Sequence, residues 1–489
     1  MKRFLRLGFV LCLYVICSGC GEVFRPIIIP NPPTFPNPAA AHTVLSINDN
    51  GTVVPGSAMV IDVSGDTDVS VANVDIHPVH AVQQTASQVL VVNQAVTGLN
   101  VSTSSCLVTI PPTPPNQTFN VCPSITKLSF SGTTIITNPA PPTITLPIYS
   151  GANFVAVAPS ATTAYVTLPT YPPDPTQPLA IVPSVGVVNT QSNTYTTIPV
   201  GNNPYALAVT PDNTKLYVAN QGDSTVSGFN TEGPSQRTGS PAATTNPPIW
   251  LSARSDNQRV YVLESDGTNG TLAWLDTTST PGPDPLTETT ISVPGATKMI
   301  YDGNKNRLYI PGGDQVAIVD VSQSAPSTIA SIPITAIPPA SRGAQDPCST
   351  TAVTTLNTVD VAALPDGSRA YVGTYYEDAS ANICPQVTVI DAVRNTIKTS
   401  TAIPGFAAYD AFCSASQSPR APRFRIMMAA GGDSTRAYLS SCDGGNVNII
   451  DTSSDTYIVN EPAPVGSRPP IPPSQQNPPQ NPVFLIAGP

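Results

Sequence analysis

Residues 200–230 read VGNNPYALAVTPDNTKLYVANQGDSTVSGFN, and this stretch decides how the chain folds. An apolar run, YALAVT (205–210), ends at the polar turn PDN. The alternating segment LYVAN (216–220) follows, then a second polar turn and TVSGFN (225–230). Short β-branched and aromatic runs joined by turns of Pro, Asp, Asn and Gly predict consecutive antiparallel hairpins.

The pattern recurs. It returns as SDNQRVYVLE (255–264), GNKNRLYIPG (303–312), PDGSRAYVGT (365–374) and GDSTRAYLSS (432–441). Two weaker copies are PSATTAYVTL (159–168) and TASQVLVVNQ (85–94). The repeat-core positions are therefore Leu90, Tyr165, Tyr217, Tyr261, Tyr309, Tyr371 and Tyr438, between 44 and 75 residues apart. Repeats of about 40–50 residues with insertions have this spacing. After each Tyr strand comes a third strand, such as VAIVDV (316–321), VTVIDA (387–392) or VNIIDT (447–452), and then a fourth, such as TYTTIPV (194–200). Four short antiparallel strands per repeat predict an all-β fold, a single β-propeller. No amphipathic helical period interrupts the strands, which excludes TIM-barrel and Rossmann architectures.

Seven Tyr-type strands predict seven blades, beginning near 78, 149, 201, 247, 296, 346 and 409. The ends carry spare strands. HTVLSIN (42–48), MVIDVSGDTDVSVANVDI (59–76) and NPVFLIAGP (481–489) close the ring in this reading and would make an eighth blade if they pair with one another. The aspartates that end the third strands recur once per blade, as at Asp391 and Asp451, and read as turn residues. Asp62, Asp66 and Asp68 lack the spacing of an EF-hand loop.

LYVAN, with VGNNPYALAVTPDN before it and QGDSTVSGFN after it, resembles the YVTN family of β-propeller repeats. The likeness is close over 197–230, looser over 150–465 and faint before that. That family spans surface-layer components, periplasmic binding proteins and lactonase-like or quinoprotein-like propellers. The resemblance therefore implies a fold and leaves the activity open.

The N-terminus, MKRFLRLGFVLCLYVICSGC, has Lys2, Arg3 and Arg6 ahead of an apolar run from Leu7 to Ile16. Ten apolar residues are too few to span a bilayer as a helix, and the pattern is that of an export signal. Small residues before Cys20 resemble a bacterial lipoprotein signal, although Cys17 stands where an aliphatic residue is usual. This implies a signal peptide over 1–19, lipid attachment at Cys20 and a proline-rich tether over 20–41, with the propeller over 42–489. Gly21 in place of an aspartate favours the outer membrane or cell surface. Export agrees with six remaining cysteines that fall as neighbours: Cys106 with Cys122, Cys348 with Cys384, and Cys413 with Cys442. They read as three local disulfides, though six cysteines allow 15 pairings.

Only 11% of residues are charged, and the net charge is −10. An acidic chain with no basic stripe excludes nucleic acid as a partner. Histidine occurs only at 42, 77 and 80, and no zinc-peptidase, hydrolase-elbow or P-loop motif is present. His77-Pro78-Val79-His80 falls where a turn leads into a new blade, and both histidines read as turn residues. No catalytic, cofactor or metal residue is assigned. Insertions at 95–126, 168–182, 338–356, 374–386 and 409–424 are the expected binding loops, with Tyr375, Tyr376 and Glu377 on an exposed rim. The expected function is a monomeric, non-catalytic envelope scaffold for a protein or glycan. A lactonase-like enzyme, with carboxylates and a divalent metal in the channel, and a surface-layer component are the alternatives.

Overall fold

The computed structural model describes residues 43–488 except 51–54, 63–64, 95–106, 111–116, 121, 148–150, 170–181, 280–281, 283, 345, 350–352, 408–412, 414–423, 459–462 and 465–480. It is a ring of eight antiparallel blades, each with four strands stacked outward from the centre in chain order. Blade 1 is composite. Asn481–Ala487 lies innermost, followed by Thr43–Asp49, Ser57–Asp62 and Thr67–Asn73. The inner strands of blades 2 to 8 are Pro78–Thr85, Val155–Val157, Pro204–Val209, Pro248–Ala253, Ile300–Asp302, Val353–Ala363 and Ile426–Ala430.

The expectation of seven blades is corrected to eight. The terminal strands do not augment a neighbour; they form a full sheet of their own. Val44 pairs with Ala487, Ile47 with Phe484 and Asp49 with Asn481. Counting tyrosines misses this blade because Leu45 stands in the tyrosine's place, three residues before Asn48 as Tyr217 is before Asn220. Closing the ring this way removes both free sheet edges at the centre.

All seven repeat-core residues are buried, because each lies mid-strand between two blades. Three of the tyrosine hydroxyls reach the outer turn of the next blade, while those of Tyr309 and Tyr438 are buried without a partner. Tyr217 donates to Asp284 at 2.9 Å, Tyr371 to Asp455 at 2.6 Å and Tyr261 to the Val321 carbonyl at 3.4 Å. Two residues before the tyrosine, a cation makes a second tie. Lys215 donates to the Thr277 carbonyl, Arg369 to that of Thr452, and Arg307 to that of Ala392 at 2.8 Å. Each of these carbonyls follows the aspartate that ends a third strand. The aspartate itself accepts backbone N–H groups of the turn, as Asp391 does from Val393 and Arg394, both at 2.9 Å. Hydrogen bonds from the turn hold these carboxyls below the usual range, the hydroxyls of Thr278, Ser322 and Ser453 first at Asp276, Asp320 and Asp451, and the backbone N–H of Arg394 first at Asp391. The once-per-blade aspartate is thus a turn cap, and the same clamp closes the ring where Arg436 of blade 8 meets Asp66 of blade 1 at 3.0 Å.

The turns between first and second strands have a fixed shape. Asn213, Asn257, Asn306, Gly367 and Ser434 all have φ between 48° and 68°. Asn and Gly suit this left-handed region, which explains the PDN, SDN and PDG spellings.

Deleting residues 481–489 should strip blade 1 of its inner strand and expose Thr43–Asp49 as an edge. Loss of the buried Val483 and Leu485 alone removes about 1.5–3 kcal/mol each. The expected result is a fall in Tm of roughly 10 °C or more with association in size-exclusion chromatography. A truncated chain that melts like the full one, as a monomer, would contradict closure by this strand.

Candidate functional site

The two faces of the ring differ. Turns between first and second strands open on one face, where they are short in blades 2 to 8, and the links between third and fourth strands open there too, the longest from Ser131 to Thr143. Links between second and third strands, and from one blade to the next, open on the other. There the chain takes its long excursions, between Asn93 and Ser124, Leu168 and Ser184, Pro333 and Val353, and Ala402 and Ile426. Cys348–Cys384 and Cys413–Cys442 are disulfides in these links, with S–S distances of 2.03 and 1.97 Å. Cys122 is also disulfide-bonded, and Cys106 lies outside the described residues.

Each inner strand starts at this insertion-bearing face, and in five blades it starts with a bulge. The register slips between Pro78 and His80, Pro204 and Ala206, Pro248 and Trp250, Thr358 and Asp360, and at Phe484 after Pro482. A bulge re-aims the residue that follows it. Here the re-aimed residues meet around the channel axis. The His80 ring lies 4.4 Å from Phe484 of blade 1 and 4.0 Å from Phe154 at the start of blade 3. Phe154 meets Trp250 of blade 5 edge-on at 5.6 Å, across the small Ala206 of blade 4. Lys298, entering blade 6, places its ammonium 5.6 Å from the Trp250 ring and 5.6 Å from that of Phe424 in blade 8. It also pairs with Asp360 of blade 7 at 2.8 Å. Asp360 in turn accepts the backbone N–H of Met428 at 2.9 Å. Trp250 and Phe484, on opposite blades, pack against one apolar cluster, so this layer floors the channel.

The floor is electrically quiet. Lys298 and Asp360 neutralise each other. Burial, with the Lys298 charge as a second cause, holds the His80 imidazole down at about 3, so it is neutral. His80 Nδ1 is buried with no hydrogen-bond partner. Among the described residues the one group of metal-binding size is Cys348, Asp378 and Cys384, whose two sulfurs are joined to each other.

Two expectations are corrected here. His80 is not a turn residue; only His77 is, with φ 56° and Nδ1 at 3.0 Å from Asp49. Residues 374–386 are not a loop insertion, because Arg369–Asp378 and Asn382–Asp391 continue as one long hairpin. Tyr376 is consequently buried, with the Arg342 guanidinium 5.4 Å from its ring. Tyr375 is half-buried and Glu377 exposed. Arg342 holds the hairpin by donating to the carbonyls of Pro385 and Ile403 at 2.9 and 3.0 Å. Cys20 and the tether lie outside the described residues, as do most of 95–126, 168–182 and 409–424. The sequence trace of the floor is Pro-x-aromatic at Pro78, Pro248 and Pro482, a signal that reads as strand entry.

One buried acid lies beside this floor. In blades 1, 2 and 4 the second strand carries Asn48, Asn93 and Asn220 at equivalent positions. Their amides donate to hydroxyls of the third strand, as Asn220 does to Ser227 at 2.8 Å. Blade 5 has Glu264 there, fully buried, accepting the Asn246 N–H at 2.9 Å with its other oxygen unpartnered. Burial first, and the nearby Glu288 carboxylate as well, push Glu264 up to about 7. A carboxyl raised on folding favours the folded state fully below its unfolded pKa, and that advantage is lost as pH rises through its folded value. Stability should therefore decline between pH 4.5 and 7 relative to Glu264→Gln, by on the order of 1–2 kcal/mol after solvent screening. Parallel pH profiles of urea-unfolding midpoints for the two proteins would refute this.

No protein-family model and no curated protein sequence matches the chain. Solved structures do. Dihydro-heme d1 dehydrogenase NirN, in complex with DHE, superposes with a TM-score of 0.55 at 10% identity, over 89% of this chain and 76% of that one. Apo AztD from Citrobacter koseri gives 0.52 at 12% identity, over 91% and 98%. At such identities these likenesses establish the β-propeller fold and nothing finer.

Proposed function

We propose that the protein is an exported, lipid-anchored propeller of YVTN-type repeats that acts as a non-catalytic binding module of the bacterial envelope. One observation carries the reading. The longest links and both described disulfides gather on a single face, above a channel floored by rings, while links on the opposite face are shorter, none exceeding that between Ser131 and Thr143. Rigid scaffolds place their recognition loops in this way, and disulfides fix loops that a small local core does not hold. A lactonase-like enzyme needs carboxylates converging in the channel. Among the described residues the floor offers Asp360 alone, with its oxygens engaged by Lys298, Val361 and Met428. The signal-like residues before Cys20 supply the anchor in this reading, and the proline-rich 20–41 segment the spacer.

The test is co-sedimentation of the mature chain with isolated cell envelopes. Shortening the blade 7 hairpin tip at 379–381, together with residues 95–122, should abolish binding. Charge substitutions at the tight turns, such as Thr214→Lys at an exposed position, should leave it unchanged. Palmitate labelling should disappear in Cys20→Ser. Equal loss from both faces, or turnover of sugar lactones by the purified chain, would defeat the proposal.

A further inference from the structure

The geometry points to a ligand class for the channel floor: a small, uncharged aromatic molecule carrying one carbonyl or hydroxyl group. It would be held between Trp250 and Phe484, with its polar atom on His80 and Lys298. This deepens the binding reading above and rests on it.

Trp250 and Phe484 are half-buried and keep part of their surface open, whereas Phe154, Phe424 and His80 are buried behind them. Rings meeting at 4.0–5.6 Å in tilted and edge-on arrangements form a wall suited to another ring. The polar groups are few. The Lys298 ammonium has three donors and one carboxylate partner, Asp360. His80 is 6% exposed and hydrogen-bonds to nothing among the described residues, an arrangement that costs free energy unless a partner arrives.

Charge selects against ions. The ion pair sums to zero and the imidazole is neutral, so an anion would find no net positive charge to offset the loss of its hydration. A cation would meet the ammonium itself. Number selects against sugars. A carbohydrate brings several hydroxyls, and a floor with two free polar groups would leave most of them unsatisfied. A ligand with a ring body and one polar atom leaves nothing unpaired.

The chain itself supplies the reporter, since Trp250 and Trp274 are its two tryptophans. In Trp274→Phe, emission comes from the floor alone. Titration of the full mature chain with 2-naphthol should change it saturably at submillimolar concentration. The 2-naphthoate anion and glucose should bind at least tenfold more weakly. His80→Phe keeps the ring packing and removes only the nitrogens, and it should weaken 2-naphthol binding by about fivefold or more. The pair Lys298→Met with Asp360→Asn leaves no lone buried charge and should do the same. Unchanged Trp250 emission overturns the assignment, as does equal or tighter binding of 2-naphthoate or glucose, or wild-type affinity in His80→Phe. Envelope binding that survives such a result would leave the binding module standing and remove only this ligand class. Loss of envelope binding with intact naphthol binding would do the reverse.

Discussion

The structure depends on one constraint: no blade can bury its own faces, so each must be tied to the next. The tie is a two-point clamp from the second strand. A tyrosine fills the gap between blades and a cation two residues earlier reaches a turn carbonyl next door, as Tyr371 and Arg369 do toward Asp455 and Thr452. The carbonyl is in place because an aspartate has already capped that turn. Cation and tyrosine thus form, with the turn next door, one unit repeated through blades 4 to 8, whereas blades 1 to 3 carry Thr43, Gln88 and Thr163 at the cation's position. Its buried charges are paired, as Asp455 is with Arg369 and Lys398, which avoids the cost of leaving a lone charge inside.

That division of labour frees the centre. With the clamps set outside the inner strands, the bulges of the inner strands can carry unlike residues. Phe484, His80, Trp250 and Asp360 occupy matching bulge positions, and Ala206 leaves the room in which Phe154 and Trp250 meet. Repetition governs the periphery, and the centre is individual. A binding site on such a ring belongs where the repeat is broken.

This contrast also explains what the sequence made legible. Tyr217, Tyr261 and their counterparts are visible because the clamp demands the same residue at the same place each time. The PDN and PDG turns are visible because left-handed backbone restricts the choice of residue. Neighbouring cysteines such as Cys348 and Cys384 are close enough along the chain for proximity to guide the pairing. The strands of the composite blade were legible, but their count as an eighth blade was left open, because the partners lie at opposite ends of the sequence and Leu45 lacks the tyrosine signature. His80 was hidden because its direction is set by a one-residue register slip, which no side-chain pattern announces. Tyr376 was misplaced because TYYED looks like a polar rim, while Arg342, far back in the chain, covers it.

The seam between Thr43–Asp49 and Asn481–Ala487 has a consequence for the life of the polypeptide. More than four hundred residues separate the two strands, so a chain made from its N-terminus carries an open edge until Asn481–Ala487 has been made. Every prematurely ended product keeps that edge, and with it the pairing groups that proteases and aggregating neighbours recognise. A closed ring thus certifies that synthesis has passed Asn481–Ala487.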